Sequence, residues 1–209
     1  MYTARLVSAP TVEPVSLNEA KVHLRIDPNF SADDSYITNL IKAVRQKLED
    51  YCSRAFVTQT WKLTLDQFPN RHFIELPMAG PLQSVSEIAY KLSDGTSQIF
   101  NIEKTVADTE ALPGRLILKP GSSWPGDSLF PGSAVSITYT CGFSASPLAV
   151  PQSFVQAMLL MIGYLYESRQ GEAPSAKYQS MVAGDLPSAV RSLLYTHRIA
   201  SPCPYLRVE

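Results

Sequence analysis

The spacing of apolar residues along the chain changes twice. Between residues 33 and 53 they recur three and four positions apart, between about 56 and 139 many recur at every second position, and from residue 151 the wider spacing returns. Three-and-four spacing lines one face of an α-helix, whereas a period of two lines one face of a β-strand. The pattern predicts an α+β fold, in which N- and C-terminal helices form a helical body around an inserted antiparallel, sandwich-like β-sheet region.

Capping residues mark the first two helices. Ser16 and Glu19 have the spacing of a capping box after an extended, proline-bounded arm, so a short helix should run to about Ile26. Asp33 and Asp34 place carboxylates at the positive end of the dipole of a second helix, predicted to end near residue 53. Its apolar stripe consists of Tyr36, Ile37, Leu40, Ile41, Val44, Leu48 and Tyr51.

Two further helices are predicted in the C-terminal part. Pro151 suits the first turn of a helix that continues with a broad apolar face to about residue 168. A polar, glycine-interrupted loop is predicted at 170–184, and a last short helix at 187–196.

Short β-strands fill the middle of the chain. Strands are predicted at about 56–65, 73–76, 85–92, 97–102, 115–118 and 134–139. Ser93, Asp94 and Gly95 form a good hairpin turn between two of them. We interpret the chain as a single domain with a helical part (1–55), a β-rich insertion (56–145), a second helical part (150–198) and an extended tail (199–209).

Charge and cysteine content narrow the possible functions. The 209 residues include 18 Lys and Arg and 19 Asp and Glu, giving a formal net charge of −1, which disfavours tight, sequence-independent binding of nucleic acid. Cys52, Cys141 and Cys203 are widely spaced and form no C-x-x-C pair, so neither a zinc cage nor a disulfide framework is predicted. The longest strongly apolar run, at 157–165, is too short to cross a bilayer.

The sequence shows no motif for a phosphate cradle, a zinc pair or a nucleophile elbow. His23, His72 and His197 fall in three different predicted elements, none at ligand spacing from another ligand. We therefore predict no catalytic residue, no metal site and no cofactor.

Other polar and aromatic residues have simpler structural roles. Helix capping explains Asp33 and Asp34 better than a proton-sharing pair, and packing explains Cys52 better than a reactive thiol. Core packing and loop anchoring are favoured over a base-stacking platform for the aromatic residues Trp61, Tyr90, Trp124 and Tyr139.

Several segments, in order, carry a resemblance to a known family. They are residues 13–26 (EPVSLNEAKVHLRI), 52–61 (CSRAFVTQTW), 74–77 (IELP), 80–85 (GPLQSV), 135–143 (VSITYTCGF), 150–151 (VP) and 166–169 (YESR). Together they resemble the head-tail connector, or adaptor, proteins of tailed bacteriophages over roughly residues 10–169. Cys141, where a small alanine-like residue would be expected, is a minor departure.

The resemblance implies a structural subunit and not an enzyme. Such proteins form a ring of about twelve copies that docks beneath the portal protein, extends the DNA channel and offers a platform to a stopper or tail-completion protein. DNA would pass through the channel without specific binding, no membrane would be involved, and the protein would reside in the virion at the head-tail interface after assembly in the host cytoplasm. Two alternatives remain: an enzyme without a recognisable motif, and a monomeric peptide- or nucleic-acid-binding module that uses the β-sheet face.

The portal-binding surface is expected in the C-terminal segment, because short capped helices followed by proline-rich extensions often gain order on binding. The expected interface residues are Leu186, Val190, Leu193, Leu194, Tyr195, Pro204, Tyr205 and Leu206, with Trp124 as a further candidate in the glycine- and proline-rich loop at 120–131. Removal of the chain after Gly184 should then abolish portal attachment and leave the fold intact.

Overall fold

The computed structural model describes residues 2–168 and 186–199. Within these residues the chain divides into two compact units, which we call the sheet unit (2–11, 53–145 and 199) and the helical unit (12–52, 146–168 and 186–198). Helices and antiparallel sheets confirm the α+β fold class. The interpretation of the chain as a single domain stays a prediction.

The sheet unit has eight strands in its described residues. They are β1 (Tyr2–Ser8), β2 (Gln59–Leu65), β3 (Phe73–Glu75), β4 (Leu82–Lys91), β5 (Ser97–Ile99), β6 (Thr105–Asp108), β7 (Arg115–Leu118) and β8 (Val135–Cys141). One sheet has five strands in the order β1-β2-β8-β4-β5, and the other has three in the order β3-β7-β6. All of these pairings are antiparallel.

Both sheets bury their alternate residues in one apolar core, as the period of two predicts. Leu63 on β2 pairs with Ile137 on β8, which in turn pairs with Ile88 on β4, and all three side chains are buried. The three-stranded sheet adds Ile74 and Leu116 to the same core. The predicted hairpin turn at 93–95 joins β4 to its antiparallel partner β5.

The sequence pattern did not predict two of the strands. β1 lies in the segment predicted as an extended arm, and it becomes a strand because it pairs with residues 60–65 of β2. β6 has four residues, and it follows a short 3-10 helix, Ile102–Lys104, that ends the predicted strand at 97–102 early. Both strands depend on their partners in the sheet more than on their own sequence.

The helical unit contains α1 (Leu17–Leu24), α2 (Asp34–Cys52), α3 (Gln152–Glu167) and α4 (Ser188–Leu194). The capping box is present as predicted: the Glu19 backbone N–H donates to the Ser16 hydroxyl oxygen, and the Ser16 N–H donates to the Glu19 carboxylate. α1 ends two residues before the predicted Ile26, because Arg25 adopts a left-handed conformation with φ of 59° and closes the helix.

The predicted apolar stripe of α2 is buried at Ile37, Ile41, Val44 and Leu48. Two charged residues of the same helix are buried with it, Arg45 and Glu49. Helical spacing gives no reason to expect charged side chains on a buried face, so their presence depends on a partner elsewhere in the chain.

That partner is Glu13, in the segment that precedes α1. Arg45 Nε lies 2.7 Å from Glu13 Oε2, and Arg45 Nη1 lies 2.6 Å from Glu49 Oε2. Burial alone would lower the pKa of the Arg45 guanidinium, but the two carboxylates more than offset this effect and hold the pKa above its ordinary value. The guanidinium is therefore charged and joins the N-terminal segment to the middle of α2.

A second buried cation, Lys21, organises the turn between α1 and α2. Its Nζ donates to the backbone carbonyl oxygens of Pro28 at 3.1 Å and Phe30 at 2.9 Å, and it lies 2.5 Å from Asp34 Oδ1. Asp34 thus anchors the turn as well as opening α2, which strengthens the structural explanation of the two acidic residues over a proton-sharing pair.

α3 packs against α1 and α2, as its apolar face predicts. The Tyr166 hydroxyl donates to Asp33 Oδ2, and the Tyr166 ring lies 6.0 Å from the ring of Tyr36. Gly163 faces His23, whose Nε2 would be 3.5 Å from a β-carbon placed on the glycine. The histidine thus lies over a residue small enough for the two helices to approach each other.

Replacing Arg45 by alanine should destabilise the protein by about 3–5 kcal/mol, because Glu49 would stay buried without its counter-charge. Urea unfolding of the purified variant measures the loss. Lys42→Ala is the matched control, since Lys42 is an exposed cation on the same helix and its removal should change stability by less than about 0.5 kcal/mol. Equal stabilities of the two variants would contradict the role given to Arg45.

Candidate functional site

Five of the nine residues expected at an interface lie in the C-terminal helix α4 or next to its ends. Leu186, Val190 and Leu194 are buried, Leu193 is half-buried, and Tyr195 is 76% exposed. Pro204, Tyr205 and Leu206 lie outside the described residues. The interface stays a prediction, and in the described part of the segment Tyr195 is the expected interface residue with the most open side chain.

The expectation that the chain can be cut after Gly184 without harm to the fold is wrong. Such a cut removes Val190 and Leu194, which have no exposed surface, from the helical unit where α4 packs against α3. Losing two fully buried aliphatic side chains leaves a cavity or exposes the core that they covered.

The 3-10 turn after α4, Tyr195–His197, is fastened to the start of α3. Ser153 Oγ and His197 Nε2 lie 2.9 Å apart, and the imidazole ring packs 4.7 Å from the ring of Phe154. A serine within hydrogen-bond distance of a histidine is also found in nucleophilic catalytic sites. Such a site further requires a third group that orients the histidine and a cavity for the substrate. The packing of His197 on a buried phenylalanine explains the contact as an anchor for the end of α4.

The last described residue, Ile199, belongs to the sheet unit. Its Cδ1 would lie 3.0 Å from a β-carbon on Gly80, so the side chain occupies space that only a glycine leaves free. Arg54 Nε donates to the Gly80 carbonyl oxygen at 2.9 Å at the same place. The chain that follows residue 199 therefore starts from a fixed point.

Trp124 anchors its loop, as predicted. Its ring stacks on Phe68 with centroids 5.2 Å apart, and its Nε1 donates to the Arg71 carbonyl oxygen at 2.8 Å. Trp61 and Tyr139 are buried in the core, and Tyr90 packs edge-on against Phe68. The aromatic residues therefore do not form an open stacking platform, and Trp124 is half-buried, with one ring face covered by Phe68.

The most distinctive surface of the sheet unit is the outer side of the five-stranded sheet. Residues that alternate with the buried positions of β1, β2, β8 and β4 point outward there. They are Thr3, Arg5, Thr60, Lys62, Thr64, Ser136, Thr138, Thr140, Glu87, Ala89 and Lys91. We call this surface the hydroxyl face, because serine and threonine contribute most of its side chains.

Cross-strand pairing arranges the hydroxyl face in rows. Glu87, Thr138, Lys62 and Arg5 form one row, each directly paired with the next across adjacent strands. The neighbouring depression has a volume of about 460 Å³, and its charged lining residues are Arg5, Lys62 and Lys91. The sequence shows the alternating threonines of β2 and β8, but only the strand register brings the three cations to one surface.

Exposed apolar side chains mark a second stretch of the sheet unit. Ile99 on β5 is 75% exposed, and Ile102 and Val106 are also exposed within the next seven residues. Large apolar side chains open to solvent in a cluster are common at protein–protein contacts.

The described residues contain neither a cluster of metal ligands nor a helix that could span a membrane. In residues 2–168 and 186–199, no three or more His, Cys, Asp or Glu side chains come together as metal ligands would. Cys52 and Cys141 are buried free thiols. None of the helices in this part of the chain has the length and apolar character needed to span a bilayer.

Comparison with known proteins points to one class. Residues 14–109 match the model of the phage gp6-like head-tail connector protein family, which confirms the resemblance predicted from the sequence. No curated protein matches the chain.

Solved structures share the fold over nearly the whole chain. A chain from the neck of an empty gene transfer agent (GTA) particle, computed with C6 symmetry, has a TM-score of 0.74 at 22% identity. Chains from the native GTA virion and from the native neck computed with C12 symmetry have TM-scores of 0.70 and 0.63, each at 21% identity. Each similarity covers 99% of this chain and 97% of the other.

Two neighbouring substitutions separate the structural part of α4 from its exposed end. Leu194→Ala should cost about 2–5 kcal/mol, because it empties a fully buried site. Tyr195→Ala should change stability by less than about 0.5 kcal/mol, because the ring is largely in solvent. Thermal unfolding followed by circular dichroism compares them, and a large loss of stability in Tyr195→Ala would contradict the assignment.

Proposed function

We propose that the chain is a structural subunit of the head-tail connector of a phage or phage-like particle. The observation that carries the proposal is the family match over residues 14–109, and the shared fold with GTA neck chains supports it across the rest of the chain. Both support a structural connector role over an enzymatic one.

In this proposal the subunit docks beneath the portal, extends the DNA channel and offers a platform to a stopper or tail-completion protein. About twelve copies form a ring by repeated head-to-tail contacts, which close only when the rotation between copies fits a full turn. Neck structures that contain the similar chains were computed with C6 and C12 symmetry, and cyclic symmetry is what a closed ring requires. The exposed apolar residues Ile99, Ile102 and Val106 are candidates for the contact between copies.

The portal contact is proposed at Tyr195 and the segment 200–209. Tyr195 presents an aromatic ring to solvent on a turn that is fastened through His197, so a partner would meet it with little loss of conformational freedom. The segment includes Pro204, Tyr205 and Leu206, and it starts from Ile199, which is held against Gly80.

Deleting residues 200–209 tests this contact without cutting into the helical unit. The shortened chain keeps Leu194 and Ile199, so its thermal unfolding should match that of the full chain. Its binding to purified portal rings, measured by co-sedimentation and negative-stain imaging, should be lost or fall at least about tenfold, which corresponds to about 1.4 kcal/mol.

A matched control keeps the length of the segment and changes its chemistry. Replacing Pro204, Tyr205 and Leu206 by serine should weaken portal binding nearly as much as the deletion. If the shortened chain and the serine variant both bind portal rings like the full chain, the segment is not the portal contact.

The alternative of a monomeric nucleic-acid-binding module has one observation in its favour, the cations of the hydroxyl face. It predicts a protein that stays monomeric in the presence of portal rings and binds nucleic acid in a salt-sensitive way. Annular assemblies on the portal would argue for the connector instead.

A further inference from the structure

The hydroxyl face contains an unfavourable arrangement of charge. Arg5 on β1 and Lys62 on β2 are direct partners in an antiparallel pair, and like charges in that position repel each other. In the described residues neither side chain has a carboxylate within ion-pair distance, although Arg45, Lys21 and Arg115 all do. Arg5 and Lys62 therefore lie side by side on the outer side of the sheet as two adjacent positive charges.

Nearby charges do not remove the imbalance. Lys91 adds a third cation to the same depression, where its Nζ lies 4.4 Å from the ring centroid of Phe130. The acid in the same row is Glu87, which is separated from Lys62 by the strand that carries Thr138. The chain as a whole carries a formal net charge of −1, so a basic surface here is a local feature.

The side chains around the cations are short hydroxyls. Thr3, Thr64 and Ser136 are paired in register across three strands and line the depression beside Arg5 and Lys62. A hydroxyl group can rotate its proton toward an acceptor, and serine and threonine are common donors to phosphate oxygens. Phosphate groups carry negative charge and accept hydrogen bonds. The hydroxyl donors and the two adjacent cations of this sheet surface are therefore chemically complementary to a row of phosphates.

We infer that the hydroxyl face contacts the phosphate backbone of double-stranded DNA. This inference rests on the proposed function, which brings DNA through the centre of the ring, and it assigns the surface of the subunit that faces the DNA. The contact is independent of base sequence, because phosphates carry no sequence information.

The same composition keeps the contact weak enough for DNA to move. Each neutralised phosphate contributes a slope of about −0.9 to the dependence of log K on log salt, so Arg5 and Lys62 together contribute only about −1.8 per subunit. The hydroxyls exchange one phosphate oxygen for the next without changing charge. DNA is thus guided along the face and not held there.

The test uses the full chain and a short DNA duplex of mixed sequence, with binding followed by amide chemical shifts. Shift changes should concentrate around Arg5, Lys62 and Ser136, and affinity should fall with salt between about 50 and 200 mM with the slope given above. The double variant R5Q/K62Q should reduce the slope by about 1.8 and the affinity by tenfold or more.

The double variant K42Q/K47Q is the matched control. It makes the same change of net charge at two exposed residues of α2, in the helical unit, and it should leave the shift pattern and the slope unchanged. Equal loss of binding in both variants would show a general effect of charge and overturn the inference. If the unmodified chain showed shift changes on the hydroxyl face with an acidic protein of the neck and none with DNA, the face would be a protein contact and the inference would be overturned.

Portal binding of R5Q/K62Q separates this inference from the proposed function. Normal rings with unchanged DNA shifts would reject the DNA contact and leave the connector intact. DNA shifts that depend on Arg5 and Lys62, in a protein that never forms rings, would support the phosphate contact and reject the connector.

Discussion

The buried guanidinium of Arg45 is the interaction on which the helical unit most depends. It binds Glu49 one turn further along α2 and Glu13 in the segment before α1, so it joins two parts of the chain that are 32 residues apart. A buried ion pair adds little net stability compared with an apolar replacement, but it costs a great deal when one partner is missing. The interaction therefore restricts the segment before α1, because that segment must place Glu13 beside Arg45 to complete the ion pair.

The chain crosses between its two units at four points, near residues 11, 52, 145 and 198, and residues close to these points make contacts that hold the chain in place. Arg54 donates to the Gly80 carbonyl oxygen just after the second passage. Thr58 donates its backbone N–H to Ser144 just before the third, and Ile199 fills the space beside Gly80 just after the fourth. Each unit thus fixes the chain ends that enter and leave it, which is how discontinuous segments form compact units.

The sequence predicted the features that depend on local spacing. The capping box at Ser16, the apolar stripe of α2 and the strand Arg115–Leu118 follow from periods and caps, and the structure has them. It did not predict the strand β1, the burial of Arg45 or the meeting of Arg5 with Lys62, because each depends on a partner far along the chain. The spacing of apolar residues also predicts the apolar face of α4. It does not distinguish a face that packs inside the protein from one that binds another protein.

The surface of the sheet unit and the charge of the chain fit a subunit that lets DNA pass. A near-neutral protein with a few cations among hydroxyls makes brief contacts with DNA, whereas many lysines and arginines would hold the phosphates.

The central claim, a structural place in the neck, is tested most directly by cryo-electron microscopy of the purified particles that carry this protein. We expect a ring of about twelve copies between portal and tail, with the described residues fitting each copy. A neck without density for this chain, in particles that are otherwise complete, would contradict the account.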